Sequence, residues 1–468
     1  MSEKTKAQEL KEKLFYKKEN GVDFMSDEEL KICDDFCEGY KKFLFENKTE
    51  REFAEAAVIA AKANGFKKFD KFKDELAAGE KVYLPNRGKA LILCVKGKRS
   101  VKDGVRISAA HIDSPRIDLK QRPVYEDGSL GFFKTHYYGG IKKYQWTAIP
   151  LSLHGRICKN DGSYVDIKLG EAPGEPKFCI TDILPHLGAE QMSRKANEII
   201  KGEELNVVIG SRPFKDDKES EKIKLNLLNI IYEKYGVVES DFLSAELELV
   251  PAFTVDDIGF DKSLIGGYGH DDRVCAYPAM QAIFDIDGIP EYTAITVLTD
   301  KEETGSDGNT GLNSSYLKYF IEDLARLEGC EGRDVLSNSK CLSADVNAAF
   351  DPTWSGPFEK NNASFINEGV VVTKFTGSRG KGGTSDASAE YVSFVKSLME
   401  NNGVLWQSGE LGKVDAGGGG TVAMYIANLD VDVIDVGVPV LSMHSPYEIV
   451  SKTDTYMAYK AFKVFFTK

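Results

Sequence analysis

Five apolar, strand-like runs in this chain each end beside a histidine or a carboxylate, and that repeated placement restricts the fold more than any other feature. The runs are VRISAAHID, reaching His111 and Asp113; GGYGHDDRV, with Asp271; TAITVLTDKEE, with Glu302 and Glu303; CLSADV, with Asp345; and VDVIDVGVPVLSMHSP, with His444. In an open α/β sheet, ligands bind outside the carboxyl ends of the strands, so residues far apart in sequence can converge in one crevice. Chelating side chains at several strand ends therefore predict an α/β protein with a metal-centred site.

Taken alone, each residue has an ordinary explanation. A lone histidine is more often a satisfied core or surface residue, and an acid just after a strand is usually a helix cap or a solvated loop group. The chain holds only six histidines, however, and two of them lie beside apolar strand ends. Two imidazoles with three or more carboxylates make a mixed nitrogen and oxygen donor set, which suits zinc, cobalt or manganese better than the all-oxygen cages of calcium. A structural zinc site places its ligand pairs two to five residues apart, whereas these donors are spread from residue 111 to residue 444, so a zinc finger is disfavoured. The eight cysteines contain no CxxC pair, and Cys33 and Cys37, one helical turn apart, read as packing residues.

The adjacent acids Glu302 and Glu303 suggest the reaction. Neighbouring side chains on a turn after a strand point in different directions, so one can bind metal while the other reaches water activated by it. The second carboxylate is then a general base that takes a proton as water attacks a carbonyl and returns it to a leaving amine. Amide hydrolysis is the simplest chemistry that fits.

HIDSP, GHDDR, DKEETGSD, SADVNAAFDP and MHSPYE together resemble the M18 aminopeptidases, relatives of aspartyl aminopeptidase among the two-metal exopeptidases. The resemblance runs from about His111 to the C-terminus. It implies a zinc-exopeptidase-like α/β/α catalytic domain made of residues 1–114 and 252–468, with an inserted β-rich dimerisation domain over 115–251. It also implies two divalent metal ions per subunit, zinc above cobalt or manganese. His111 and Asp345 would hold one ion, Glu303 and His444 the other, with Asp271 bridging and Glu302 as base. Asp113 resembles the family's carboxylate that orients the ligand histidine. Lys374 resembles a pocket lysine able to pair with an acidic substrate side chain, and His186 a histidine that reaches a neighbouring subunit's site. Asp351 departs from the family, because members preferring acidic residues tend to carry histidine there, and its charge would repel an acidic substrate. Dimers assembling into a dodecamer, peptide substrates with a free N-terminus and some preference for acidic residues complete what the resemblance implies.

Composition sets outer bounds. A chain of 468 residues can bury more than one ordinary core. With 60 basic and 73 acidic residues, net charge −13, it is a poor match for a nucleic-acid binder. The charged N-terminal stretch lacks a signal peptide's apolar segment and no run of eighteen apolar residues occurs, so a cytoplasmic protein with no membrane partner is expected. Residues 26–64 read as helical, opening on a capping box at Ser26 and Glu29 and closing at Gly65. Alternating runs between residues 115 and 251 suggest hairpins, one of them around Asn160, Asp161 and Gly162. Four glycines from Gly417 to Gly420 lack the lysine and hydroxyl residue of a phosphate loop, so close backbone packing is expected there. Residues 378–391 read as a flexible Gly-rich turn without a catalytic role, an oligomer or entrance loop as readily as a substrate contact, and the charge run 215–224 as a solvated face or mobile loop. Two other functions share these residues: an amidase or deacylase acting on non-peptide amides, and an idle oligomeric scaffold, which would have no use for Glu302.

Overall fold

Most of the apolar runs become strands of a nine-stranded mixed sheet in the computed structural model, which describes residues 4–73, 75–216 and 218–468. In spatial order its strands are Lys67–Lys68, Lys81–Asn86, Ala90–Val95, Thr293–Thr299, Val105–His111, Lys340–Ala344, Asp432–Gly437, Val370–Thr373 and Trp406–Ser408. The four strands from Thr293–Thr299 to Asp432–Gly437 are mutually parallel. Thr293–Thr299 and Val105–His111 are buried at every position, which is why most of their residues are apolar: helices cover both faces of a parallel sheet.

Alternate residues of each strand feed opposite layers. Leu91, Leu93, Ala110, Leu342 and Ile434 pack among helices that include Asp27–Glu46, Glu50–Ala63, His270–Phe284 and Lys452–Thr467. Ile92, Ile107, Ile295, Cys341 and Val433 face Tyr316–Leu327, Gly332–Ser337 and Ala423–Ala427. The result is the expected α/β/α arrangement. Ser26 caps the Glu29 amide at the first long helix, Thr49 and Glu52 form a reciprocal capping box that opens the second, and Gly65 follows it at φ 82°.

Residues between the Val105–His111 strand and Pro251 build a second, antiparallel sheet of seven strands. Its order is Tyr164–Leu169, Leu151–Cys158, Ala245–Pro251, Arg116–Asp127, Leu130–Tyr138, Val207–Gly210 and Cys179–Ile180. The first two strands form the hairpin expected around residues 160–162. This sheet has its own core, including Phe133, Trp146, Leu151, Phe178 and Leu249, and carries the helix Lys222–Tyr235. Because it begins at Arg116, it hangs from the carboxyl end of the strand that delivers His111.

Two local expectations are corrected. GGYGHDDRV does not run as a strand into Asp271: Leu264–Gly267 belongs to a separate three-stranded antiparallel sheet with Asp256–Ile258 and Glu448–Ser451, and Asp271 lies in the first turn of the helix His270–Phe284. Gly269, at φ 78°, makes that reversal, and a Cβ there would meet the Arg273 guanidinium at 2.2 Å. His444 likewise sits at φ 64°, beyond Asp432–Gly437 and the short strand Pro439–Val440. The charge run 215–224 is exposed through residue 221, with Asp217 outside the described residues, and its end enters the helix Lys222–Tyr235. Among the described residues no helix is long and apolar enough to cross a membrane, and all eight cysteines are free.

Candidate metal centre

Three neighbouring parallel strands deliver the first donors. His111 closes its strand opposite Thr299, Asp345 follows Lys340–Ala344 on one side, and on the other the chain turns through Lys301 into the short 3-10 turn Glu302–Thr304. Asp271 and His444 arrive from the flank. Asp271 stands between the histidines, with Oδ1 3.1 Å from His111 Nε2 and Oδ2 3.1 Å from His444 Nε2. Asp345 Oδ1 and Glu302 Oε2 lie 3.9 and 3.8 Å from His111 Nε2, and Glu303 Oε2 lies 3.6 Å from His444 Nε2. Three overlapping triads thus bring ligand atoms within 4.8 Å of one another: His111, Asp271 and Asp345; His111, Glu302 and Glu303; Asp271, Glu303 and His444.

A second layer fixes these side chains. His111 Nδ1 is 3.0 Å from the Asp113 carbonyl and 3.3 Å from its carboxylate, which leaves Nε2 facing Asp271. Asp113 also accepts the Glu302 and Glu303 amides at 3.1 and 3.2 Å and the Tyr138 hydroxyl at 2.7 Å. His444 Nδ1 is 2.8 Å from the Gly140 carbonyl. Glu448 ties the flanking donors together: Oε1 accepts the His444 amide at 2.7 Å and Oε2 the Asp271 amide at 3.1 Å.

The electrostatics are those of crowded, dehydrated charge. Burial pushes Glu302 up to about 7, with Asp271 and Asp113 adding to the rise against the pull of His111. Burial and neighbouring carboxylates likewise carry Glu303 and Asp345 well above the usual range. Burial opposes the charge on His444, yet Asp271 and Glu303 raise it to about 11, and Asp113 and Asp271 raise His111. Asp271 is buried too, but the two imidazoles hold it below the usual range. Despite the short contacts, His111 Nε2, Asp271 Oδ1 and Glu303 Oε1 are buried and make no hydrogen bond. Leaving a buried polar atom unpaired costs about 1–3 kcal/mol. Three such atoms on one centre, in a set of imidazoles and carboxylates, fit a divalent transition metal as their partner.

Beside the cluster lies a cleft of about 220 Å³, bounded by Asn347, Thr376, Leu411 and residues 418–420 and open to Asp271, Glu302, Asp345 and His444. Two of the four glycines pack closely: a Cβ on Gly417 would meet the Leu411 carbonyl at 2.4 Å, and one on Gly418 the Gly377 carbonyl at 2.3 Å, whereas Gly419 and Gly420 have room for one. Lys374 and His186 do not join the cluster. Lys374 is half exposed and its ammonium pairs with Asp386. His186 is exposed in the inserted segment, among the exposed side chains Ile183, Leu184 and Leu187. Asp351 accepts the Thr353 amide within its own turn. His154 is outside the cluster, buried between Glu52 and Glu171.

Glu448, Tyr138 and Gly140 received no role from the sequence. Glu448 stands within MHSPYE, four residues after His444, and the paired glycines after an aromatic strand end were the one sign of a close approach at residues 139–140.

Known proteins carry the same architecture. A profile of the family described as Aminopeptidase I zinc metalloprotease (M18) matches residues 43–466. A probable M18 family aminopeptidase 1 of Clostridium acetobutylicum is 45% identical over 453 residues, 95% of this chain and 97% of the relative. The crystal structure of an M18-family aminopeptidase from Thermotoga maritima superposes with a TM-score of 0.92 at 40% identity, covering 97% of this chain and 100% of that one. The S. cerevisiae mApe1 dodecamer shares the fold at 21% identity, with a TM-score of 0.75 over 92% of this chain and 96% of that one.

Proposed function

We propose that this chain, which belongs to the M18 family of zinc aminopeptidases and is a metalloaminopeptidase, hydrolyses the first amide of peptides at a centre of two divalent ions. The observation that carries the reading is Asp271, whose two oxygens each lie 3.1 Å from a different imidazole. One ion would be held by His111, Asp345 and Asp271, the other by His444, Glu303 and Asp271. Two dications would bring four positive charges to a cluster that holds five carboxylates with Asp113, offsetting most of the repulsion that drives its acids toward protonation. Zinc bound there acidifies water and polarises the scissile carbonyl.

The chain's own residues do the rest. Glu302 takes the proton from the attacking water and delivers it to the nitrogen of the leaving amine. Its side chain keeps 20% exposure where Glu303 keeps 3%, so Glu302 suits the base that must meet substrate and Glu303 the ligand. Asp113 holds His111 in the tautomer with Nε2 free and positions both glutamates through their amides. The free amino terminus of the substrate is recognised by the carboxylates at the mouth of the centre, and its first side chain enters the cleft beside Asn347 and Thr376. A preference for acidic first residues would fall to Lys374, which would have to exchange Asp386 for the substrate; with Asp435 also lining the cleft, a neutral first residue fits better.

Residues 115–251 serve in this reading as the inserted oligomerisation domain of a homo-oligomer, dimers building a dodecamer, with His186 reaching a neighbour's site. Its exposure among apolar side chains and the fold shared with a dodecameric protein support that role. The activity test compares aminoacyl-nitroanilides with their N-acetylated forms. Turnover of the free amines alone is expected, with leucyl above aspartyl substrate. Equal turnover of the blocked series would make the enzyme a deacylase or general amidase.

A further inference from the structure

A short stretch of chain where the Leu130–Tyr138 strand ends reaches His444 directly and His111 through Asp113. The Tyr138 hydroxyl donates to Asp113 Oδ2 at 2.7 Å, and Asp113 in turn meets His111 Nδ1. Two residues on, the Gly140 carbonyl lies 2.8 Å from His444 Nδ1. Between them Gly139, at φ 74°, runs so close that a Cβ would stand 3.1 Å from Glu303 Oε2. The Tyr138 ring is itself anchored. The Arg116 guanidinium stacks 3.9 Å from its centroid and is gripped by Glu50, Asp118 and Glu248. Glu50 belongs to a helix of the first core and the other two to the second sheet, so the ring is fixed where the two sheets' layers meet.

We infer that residues 138–140 are a positioning element for both halves of the metal centre, through which the second sheet sets how tightly the ions are held. The inference rests on the two-ion reading above. Tyr138 acts through Asp113 on His111, and Gly140 acts directly on His444. Hydrogen-bond partners of ligand histidines and carboxylates fix ring orientation and raise ligand basicity, and losing one costs typically 10–100-fold in affinity. Neither residue touches the reacting atoms.

The test is a chelator-competition titration of the full chain with Zn²⁺, joined to the visible spectrum of the Co²⁺-loaded protein. Tyr138→Phe keeps the ring on Arg116 and removes only the hydroxyl. It should weaken zinc binding several-fold, less than the about 10–100-fold expected for losing Asp113 itself, alter the cobalt spectrum, and lower kcat more than it changes KM. In an Asp113→Ala background the same substitution should add nothing, because its target is gone. Tyr137→Phe, next door and exposed, should match wild type in every reading. If Tyr138→Phe binds zinc within twofold of wild type, or loses equally in both backgrounds, the positioning role is overturned. Should Tyr138→Phe fail to fold, Gly139→Ala presses on Glu303 instead, and unchanged zinc affinity there overturns the proposal equally. Wild-type affinity in His111→Ala would be a different failure, that of the metal centre itself.

Discussion

Glu448 offers a measurable account of how the flanking donors are held. Its side chain is 1% exposed, and each oxygen accepts one backbone amide, from His444 at 2.7 Å and from Asp271 at 3.1 Å. Burial and Asp271 push its carboxyl up to about 7, so above that pH both bonds run to a charged group and contribute about 1.5–3 kcal/mol each. Glu448→Gln keeps one carbonyl acceptor and turns an NH2 group toward the other amide, so one bond is lost and a buried N–H is left facing a donor. Glu448→Ala loses both. The expected destabilisation is therefore about 1.5–3 kcal/mol for glutamine and about twice that for alanine. Urea unfolding with metal chelated isolates this effect, because bound zinc would add its own linkage to the folded state. Zinc per subunit, measured separately, should fall in both variants as Asp271 and His444 loosen. If glutamine unfolds at the wild-type midpoint with full zinc content, Glu448 does not tie the two donors and this account of the flank is wrong.

Three further outcomes are expected. Glu302→Gln should retain wild-type metal content and fold while turnover falls about 10²–10⁴-fold, because the amide cannot accept the proton; near-normal activity would remove Glu302 as the base. His154 should be a stability residue alone. Burial works against its charge, but Glu171 and Glu52 raise it above its ordinary 6.5, while its partner Glu171 is drawn down to about 2. A raised imidazole stabilises fully below 6.5 and loses that contribution as pH rises through its folded value, and a depressed carboxyl loses its own as pH falls from 4.5 toward 2. His154→Ala should therefore flatten the alkaline decline of the urea midpoint and leave zinc content unchanged; an unaltered pH profile would contradict the clamp. Finally, mixing inactive His186→Ala and Glu302→Gln proteins under subunit exchange should restore activity if His186 works across an interface, and a mixture that stays dead after proven exchange would refute it.

What the sequence revealed and what it concealed divide along physical lines. Val105–His111, Thr293–Thr299 and Lys340–Ala344 were legible because a parallel strand buried on both faces is largely apolar, and the acids and the histidine at or just past its end stand out. The hairpin at residues 160–162 followed from alternating polarity around its turn residues, whereas the α/β/α layering came only with the resemblance to the M18 family. Asp271 was misplaced onto a strand because Leu264–Gly267 is one, though in another sheet, and the turn at Gly269 leaves no apolar period to mark the helix start. The contacts of Glu448 with Asp271, of Tyr138 with Asp113 and of Gly140 with His444 span from 25 to more than three hundred residues. Tertiary approach alone creates them, so no local spacing announces them. Lys374 shows the converse: its charge was visible in the sequence, but its partner Asp386 was not recognised as one.

The central claim is that Asp271 lies between two ions. Diffraction from zinc-loaded crystals, collected on both sides of the zinc absorption edge, tests it most directly. Two anomalous peaks per subunit are expected, one bounded by His111 Nε2, Asp345 and Asp271 Oδ1, the other by His444 Nε2, Glu303 and Asp271 Oδ2. A single peak, or two peaks of which only one touches Asp271, would contradict it.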